Sequence, residues 1–351
     1  MAADTARANP PGPADYSVVI RTLGTAGGKY RALLESLKSQ TIRPSEVLVV
    51  LPDGREPPAE RLGTERFVTT RKGLVHQRSF GIRQARGDYI LLCDDDISFD
   101  KDFVEKLYRT HLATGAMIVT PRVLDPGDGR PPSLKTRVAA IRDFLCGLHY
   151  ASSKPSPFYI RIWDTGGYIN NARMESRRQY YSQSGHGTCS FLKREAAARL
   201  RFEDEIWLEG ASYALPDDQV MFYKAFLQGN SIAWCREARL LHLDAGRDTP
   251  DRFRHMSYAN ARNFTIFWHR FLYRTNAGVS RRISLVFGLS FRVLNTCLYY
   301  AAAHLWNPRR SSAALALFKG YIDALRYIRS EDYGRLPVIE AKHTGIGRER
   351  R

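Results

Sequence analysis

The chain has no Cys-x-x-Cys pair, no internal repeat and no apolar run near its start. Its five cysteines, Cys93, Cys146, Cys189, Cys235 and Cys297, are odd in number and widely scattered. That argues against a disulfide or zinc framework and for a reducing compartment. The opening stretch MAADTARANPPGPAD lacks an apolar core and reads as a loose tail, not as a signal peptide. Acid is scarce beside base: 36 Asp and Glu face 53 Lys and Arg, for a net charge of +17. The imbalance is local as well, with eight Arg and only Asp248 and Asp251 as acids between Arg247 and Arg282. Such an excess points to an anionic partner, whether nucleic acid, acidic lipid or a phosphorylated ligand, and charge alone does not choose among them. No nucleic-acid-binding motif is present, which sets a basic nucleic-acid module last among the readings.

What is there is a folded protein. Hydrophobic residues make up 44% and aromatics 11% of 351 residues, enough for a packed core and too much for a disordered chain. Tyr16–Thr22, Glu46–Leu51, Phe67–Thr70, Tyr89–Cys93 and Ala116–Thr120 read as strands. Between them, Tyr30–Gln40, Leu74–Ala85 and Asp102–Thr114 carry helical spacing. This alternation predicts an α/β unit with a mostly parallel sheet, whose ligands sit beyond the carboxyl ends of the strands. Asp53 and Asp94–Asp96 each follow a strand and are therefore expected at one crevice. The middle, Leu124–Ser184, is rich in loop-forming runs and reads as irregular. Order resumes with Gly187–Leu200 and a helix over Asp217–Gln228.

The stretch GDYILLCDDDISFDKDF, Gly87 to Phe103, ends a buried strand in three aspartates. Like charges crowded at one strand tip destabilise a fold unless a cation sits among them. Carboxylate oxygens suit Mg²⁺ or Mn²⁺, ions that keep water and bridge to phosphates. By residue type alone, an acidic turn capping the next helix serves equally well.

The run KGLVHQRSFGIRQARG before that strand decides the matter differently. With Gly73, Arg78-Ser79, Gly81-Ile82 and Ala85-Arg86-Gly87 leading into Asp94–Asp96, it resembles the inverting glycosyltransferases of family 2, of bacterial cell-envelope or polysaccharide type. Ser79 stands where that family usually has Asn. Downstream, LPDDQVMFYKAFLQG resembles the family's acidic helix, with Asp217 in the usual Glu position, Asp218 in that of the catalytic Asp and Lys224 in that of an Arg.

The resemblance implies a GT-A nucleotide-sugar-binding fold with a mostly parallel mixed sheet and a metal-dependent transferase. Asp218 would be the base and Asp217 would orient the acceptor. Thr22, Asp53, Arg78, Asp94, Asp95 and His186 would contact the nucleotide sugar. Asp94, Asp96 and His242 would hold Mg²⁺ or Mn²⁺. Taken as bare residues, Asp53 in Pro-Asp-Gly is a turn former. The Asp217-Asp218 pair is equally a helix cap. His186 and His242 are equally loop or structural histidines. A metal-dependent nucleotidyl or phosphoryl transferase uses the same kind of strand-end acids and is the second reading. The Gln-x-x-Arg-Trp motif of processive synthases is absent after the Asp pair, which implies transfer of one sugar at a time to a glycan or lipid-linked acceptor.

Beyond Asp251 the character changes. Arg252–Tyr273 is basic and aromatic, and Ala313–Ile328 is amphipathic. The run ISLVFGLSFRVLNTCLYYAAAHLW, Ile283–Trp306, is long enough to cross a bilayer but carries Arg292. A central arginine costs at least about 2.5 kcal/mol in a span. The expectation is a helix lying in, or dipping into, an anionic membrane surface on its cytoplasmic side; a buried soluble helix pair is the other reading. The expected organisation is a tail over 1–15, a catalytic domain over 16–250, a helical membrane-surface region over 251–335 and a basic tail over 336–351.

Overall fold

A computed structural model of the chain describes residues 14–124, 134–171, 179–243, 250–306 and 311–342. Most of the expected N-terminal tail and the end of the basic tail lie outside these residues. Four strands form the parallel heart of a sheet: β1 (Tyr16–Arg21), β2 (Glu46–Pro52), β3 (Glu65–Thr70) and β4 (Tyr89–Asp94). β1, β2 and β4 are buried almost throughout, as strands covered on both faces are, and so read as unbroken Val, Ile and Leu. The helices between them are α1 (Gly28–Lys38) and α2 (Leu74–Gln84).

The chain then runs through β5 (Ile97–Phe99), α3 (Phe103–Thr114), β6 (Ile118–Leu124), α4 (Leu134–Leu145), β7 (His149–Ser152), β8 (Ile160–Ile162), β9 (Tyr168–Asn171), β10 (Gln179–Ser182), β11 (Cys189–Lys193) and α5 (Arg194–Leu200). A 3₁₀ segment over Phe202–Gly210, α6 (Asp217–Leu227) and the long β12 (Ile232–His242) follow. The sheet order is β10-β12-β6-β11-β4-β1-β2-β3, with β5 on β12, and β7-β9-β8 form a small second sheet. β11 runs antiparallel between β4 and β6, and β12 is parallel to β6, so the sheet is mixed and mainly parallel. The middle of the chain is therefore not wholly irregular: its described residues hold α4 and four short strands.

Helices cover both faces. Tyr30, Leu33 and Leu37 of α1 and Phe103 and Leu107 of α3 fill one side. Val75 and Ile82 of α2, with Val220 and Phe222 of α6, fill the other. The C-terminal helices join this second core. They are α7 (Pro250–Phe267), continued by a π-helical turn over Trp268–Tyr273, then α8 (Val279–Trp306), α9 (Ser311–Ile328) and α10 (Glu331–Gly334). Ile266, Phe267, Phe271, Leu285, Ala324 and Tyr333 belong to the same apolar cluster as the sheet.

Candidate active site

Parallel pairing sets which residues meet at the sheet's edge. Arg21 is level with Val50 of β2 and with Asp94 of β4, so the ends of three strands open on one side. Gln77 of α2 ties two of these ends, its amide donating to the carbonyls of Thr22 at 3.1 Å and Val50 at 2.9 Å. Asp53 lies three residues beyond Val50, in the turn after β2, with its backbone N–H on Thr70 and its side chain exposed.

The three aspartates have three different partners. Asp94 accepts from Arg21 at 2.7 Å and lies 3.6 Å from the guanidinium of Arg78. Asp95 accepts from the hydroxyl of Thr22, which is itself buried. Burial, and then Asp96 and Asp94 beside it, push the Asp95 carboxyl upward against that hydrogen bond. Asp96 faces His242, with Oδ2 and Nε2 3.4 Å apart. The repulsion within the triplet is thus partly quenched by two arginines of the protein, which neither the metal reading nor the acidic-turn reading of the sequence includes. Thr22 acts here as the holder of Asp95.

Asp96 and His242 are 146 positions apart and meet through strand pairing. β5 runs antiparallel to β12 with Ile97 opposite His242, and Leu243 donates its N–H to the carbonyl of Asp96 at 2.7 Å.

The acidic helix approaches the same edge from the other side. Asp217 and Asp218 occupy the first turn of α6, where the helix dipole favours negative charge. Arg78 of α2, 5% exposed, bonds Asp217 directly and donates to the carbonyl of Gly187 at 2.7 Å. Asp218 accepts from the N–H of Gln219 at 2.7 Å. Gly187 passes so close beneath that an added Cβ would stand 2.8 Å from the Asp218 Cβ, so only glycine fits there. Burial drives Asp217 up to about 6, against the pull of Arg78 and with the push of Asp218; Asp218 is raised chiefly by burial too. His186, one residue before this glycine, is exposed at the rim.

Arg78 therefore joins both halves of the crevice, with Asp94 on one side and Asp217 on the other. Arg21 was missed in the sequence; its one signal was a lone charge closing an apolar strand. Glu209 was missed as well. Its carboxylate caps α2, accepting from the N–H groups of Val75 at 2.7 Å and His76 at 3.1 Å, and so sets the height of Arg78 one turn on.

Lys224 does not face the crevice. It is 3% exposed, two turns along α6 from Asp217, with Nζ 2.8 Å from Glu205 and 3.3 Å from Asp204. Glu205 is fully buried and also receives Arg270 from the π-helical turn at 2.8 and 2.9 Å and the indole of Trp207 at 2.7 Å. Burial favours the protonated form of Glu205, yet Lys224 and Arg270 outweigh it and hold the carboxyl below its usual range.

The profile described as glycosyl transferase family 2 matches residues 17–201, more than half of the chain. The protein belongs to glycosyltransferase family 2. The match covers the triplet, Arg21 and Arg78 and ends before the Asp217-Asp218 pair. The α/β sheet agrees with the GT-A fold expected of that family. A stretch of 83 residues is 36% identical to the uncharacterized glycosyltransferase YwdF of Bacillus subtilis (strain 168), covering 22% of this chain and 31% of that protein. The match thus spans under a third of that relative's length.

Three solved structures are similar in chain path. GalNAc-T7 with UDP, GalNAc and Mn²⁺ has a TM-score of 0.46 and 13% identity, over 81% of this chain and 55% of that one. The mannosyltransferase PcManGT of Pyrobaculum calidifontis with GDP-Man and Mn²⁺ has 0.45 and 14%, over 89% and 87%. S. aureus TarS 1-349 with UDP-GlcNAc has 0.40 and 14%, over 90% and 91%.

The donor set near Asp96 fits a divalent ion. One carboxylate oxygen and one imidazole nitrogen lie 3.4 Å apart, a few tenths of an ångström wider than the roughly 3.0 Å between neighbouring ligands on an octahedral ion with bonds of about 2.0–2.1 Å. Among the described residues no three His, Cys, Asp or Glu side chains form a metal cage. Such a two-ligand site leaves places for water and phosphate oxygens, as Mg²⁺ and Mn²⁺ usually have.

Proposed function

We propose that the protein is a metal-dependent, inverting glycosyltransferase that moves one sugar from a nucleotide-diphosphate donor to a hydroxyl of a glycan or lipid-linked acceptor. Family membership supports the reaction class. The observation that carries the assignment is the Arg78 bridge, which brings the strand-end acids and the Asp217-Asp218 pair to one edge of the sheet.

Asp53 and Asp95 stand on the nucleotide side, with Thr22 holding Asp95. Asp96 and His242 would hold Mg²⁺ or Mn²⁺, which when bound neutralises negative charge on the leaving diphosphate. Asp94 is engaged by two arginines and sets their positions instead of completing the ligand set. Asp218 takes the proton of the acceptor hydroxyl as its oxygen attacks the anomeric carbon. The bond from that carbon to the diphosphate breaks in the same displacement, so the configuration inverts. Asp217, which also holds Arg78, orients the acceptor, and His186 contacts the nucleotide sugar.

We place the protein at the cytoplasmic face of a membrane, in cell-envelope or exopolysaccharide synthesis. The catalytic unit runs over 16–250, the membrane-surface region over 251–335 and the basic tail over 336–351. A screen of nucleotide sugars by thermal shift, with and without Mn²⁺, tests the reading, because a ligand that binds only the folded state raises the melting temperature by mass action. One donor stabilising in a Mn²⁺-dependent way is the expected result. Release of pyrophosphate instead of a nucleoside diphosphate on turnover would identify a nucleotidyl transferase.

A further inference from the structure

Fifteen of the twenty-two large hydrophobic side chains that stand exposed among the described residues lie on only three helices. On α4 they are Leu134, Val138, Ile141, Phe144 and Leu145, four of which fall on one helical face. α8 contributes Ile283, Phe287, Leu294 and Leu298, again one face, with Val279 and Val286 beside it. On α9 the row is Leu315, Phe318, Ile322 and Leu325. Leu134 is 78%, Phe287 74% and Leu315 70% exposed. The helices adjoin, α4 and α9 both packing on α8, and Trp163 stacks on Phe144 of α4 and meets Phe291 of α8 at a tilt. Soluble monomers rarely leave so much clustered apolar surface uncovered.

The opposite face of α8 is fastened to the domain along most of its length. Arg281 and Ser284 both bond Asp164 at 2.6 Å, and Gly288 lies against the Asp164 backbone, where a Cβ would meet it at 2.8 Å. Arg292 donates to Thr165 O at 3.2 Å and Asn260 at 3.1 Å and sits 4.2 Å from the Phe264 ring centre. Tyr300 meets Ser257 at 2.8 Å. These contacts run over about 28 Å of helix at 1.5 Å per residue. A spanning α8 would have to shed them all. The arginine that argued against a span is thus an anchor to the protein.

Charge says what covers the apolar face. The three helices carry eight Lys and Arg against Asp143 and Asp323 alone. Arg137 on α4, Arg282 on α8 and Lys319 and Arg326 on α9 flank the apolar rows. We infer that α4, α8 and α9 form one monotopic docking surface that seats in the outer part of a single leaflet of an anionic lipid bilayer. Apolar rows buried about 5–10 Å into the headgroup boundary with basic residues at phosphate level describe such a surface. This rests on the membrane placement proposed above, and on none of the transfer chemistry.

The test is flotation of the full chain with vesicles of phosphatidylcholine alone or containing phosphatidylglycerol. Co-flotation is expected with the anionic vesicles, weakening as salt screens the charges. Phe287→Glu on α8 and Ile141→Glu on α4 should each weaken it at least about tenfold, with unfolding temperature and donor-induced thermal shift unchanged. No flotation with either vesicle, retention after alkaline carbonate washing, or loss with the α8 variant but not the α4 variant each overturns the three-helix surface. A concentration-dependent dimer in sedimentation velocity that the same variants abolish overturns it too, since a second copy would then cover the face. Loss of donor binding with flotation intact would instead refute the transferase reading.

Discussion

Asp94 and Asp96 are two residues apart in one acidic run, and their surroundings predict opposite behaviour. Asp94→Asn keeps the shape and one oxygen but removes the charge facing Arg21 at 2.7 Å and Arg78 at 3.6 Å. Removing one partner of a fully buried pair costs about 3–5 kcal/mol, whereas an exposed pair is worth about 0–1 kcal/mol. Asp94 is 18% and Arg21 26% exposed, so the expected loss lies between, near ~2 kcal/mol. Mn²⁺ affinity in the presence of a nucleoside diphosphate should stay within about threefold, far less than the 10–100-fold that even a supporting partner is worth to a metal site. Asp96→Asn does the reverse. It removes a like charge from beside Asp95, so the metal-free protein should hold or slightly gain stability. Mn²⁺ binding should weaken by at least about tenfold. Thermal unfolding of the apo variants, with titration calorimetry or Mn²⁺ electron paramagnetic resonance beside it, reads both quantities. If Asp94→Asn abolished Mn²⁺ binding while leaving stability intact, the division of labour argued for the triplet would be wrong.

Asp218→Asn should lower transfer by about 10²–10⁴-fold while the donor still shifts the melting temperature; near-normal turnover would remove Asp218 as the base. The Asp217-Asp218 pair titrates as a unit. Because burial raises both carboxyls, with Asp217 near 6, the acid limb of kcat/KM should lie above the ordinary carboxylate range, and a limb near pH 4 would contradict the buried geometry. The same raised values mean the folded state binds more protons than the unfolded one, so this pair's contribution to stability falls as pH rises from about 4 to about 6. Glu205→Gln should cost about 3 kcal/mol or more in denaturant unfolding, since Lys224 and Arg270 lose their shared buried anion. Glu205 has the opposite sign from the Asp pair: its folded-state value is depressed, so its contribution is full above the unfolded pKa and is lost as pH falls through the folded one.

The apolar strands were readable because burial on both faces demands unbroken Val, Ile and Leu, and their acidic ends followed from parallel topology. α4 was not, although its stripe of Leu134, Val138, Ile141 and Leu145 has helical spacing. Loop-forming runs surround it, and the strands after it are four residues or fewer, too short to show a period. β12, Ile232–His242, was not legible as one strand, because the register shift between Cys235 and Arg239 breaks its alternation. Contacts between distant positions left no local trace. Arg21 and Asp94 are 73 residues apart, and Glu205 and Arg270 are 65 apart. Candidates for such pairs are visible as single charges in apolar surroundings, but their partners are fixed only by the fold.

The crevice is organised by alternating charge. Arg21, Asp94, Arg78 and Asp217 form a line that starts on β1, crosses β4 and α2 and ends on α6. Each anion in it sits between cations or beside one, so no member can move without unbalancing its neighbour. The line links the strand-end acids to the start of α6, and on the proposed reading it fixes the distance between the donor-side acids and the base. Displacement chemistry is steep in that distance, since an error of about 1 Å can cost about 10²-fold. Glu209 at the start of α2 and Gly187 beneath Asp218 serve the same end, one by setting the height of Arg78 and the other by letting α6 approach. On the proposed reading the arginines position the reaction, and Asp218, held by the N–H of Gln219 at 2.7 Å, is left as the base.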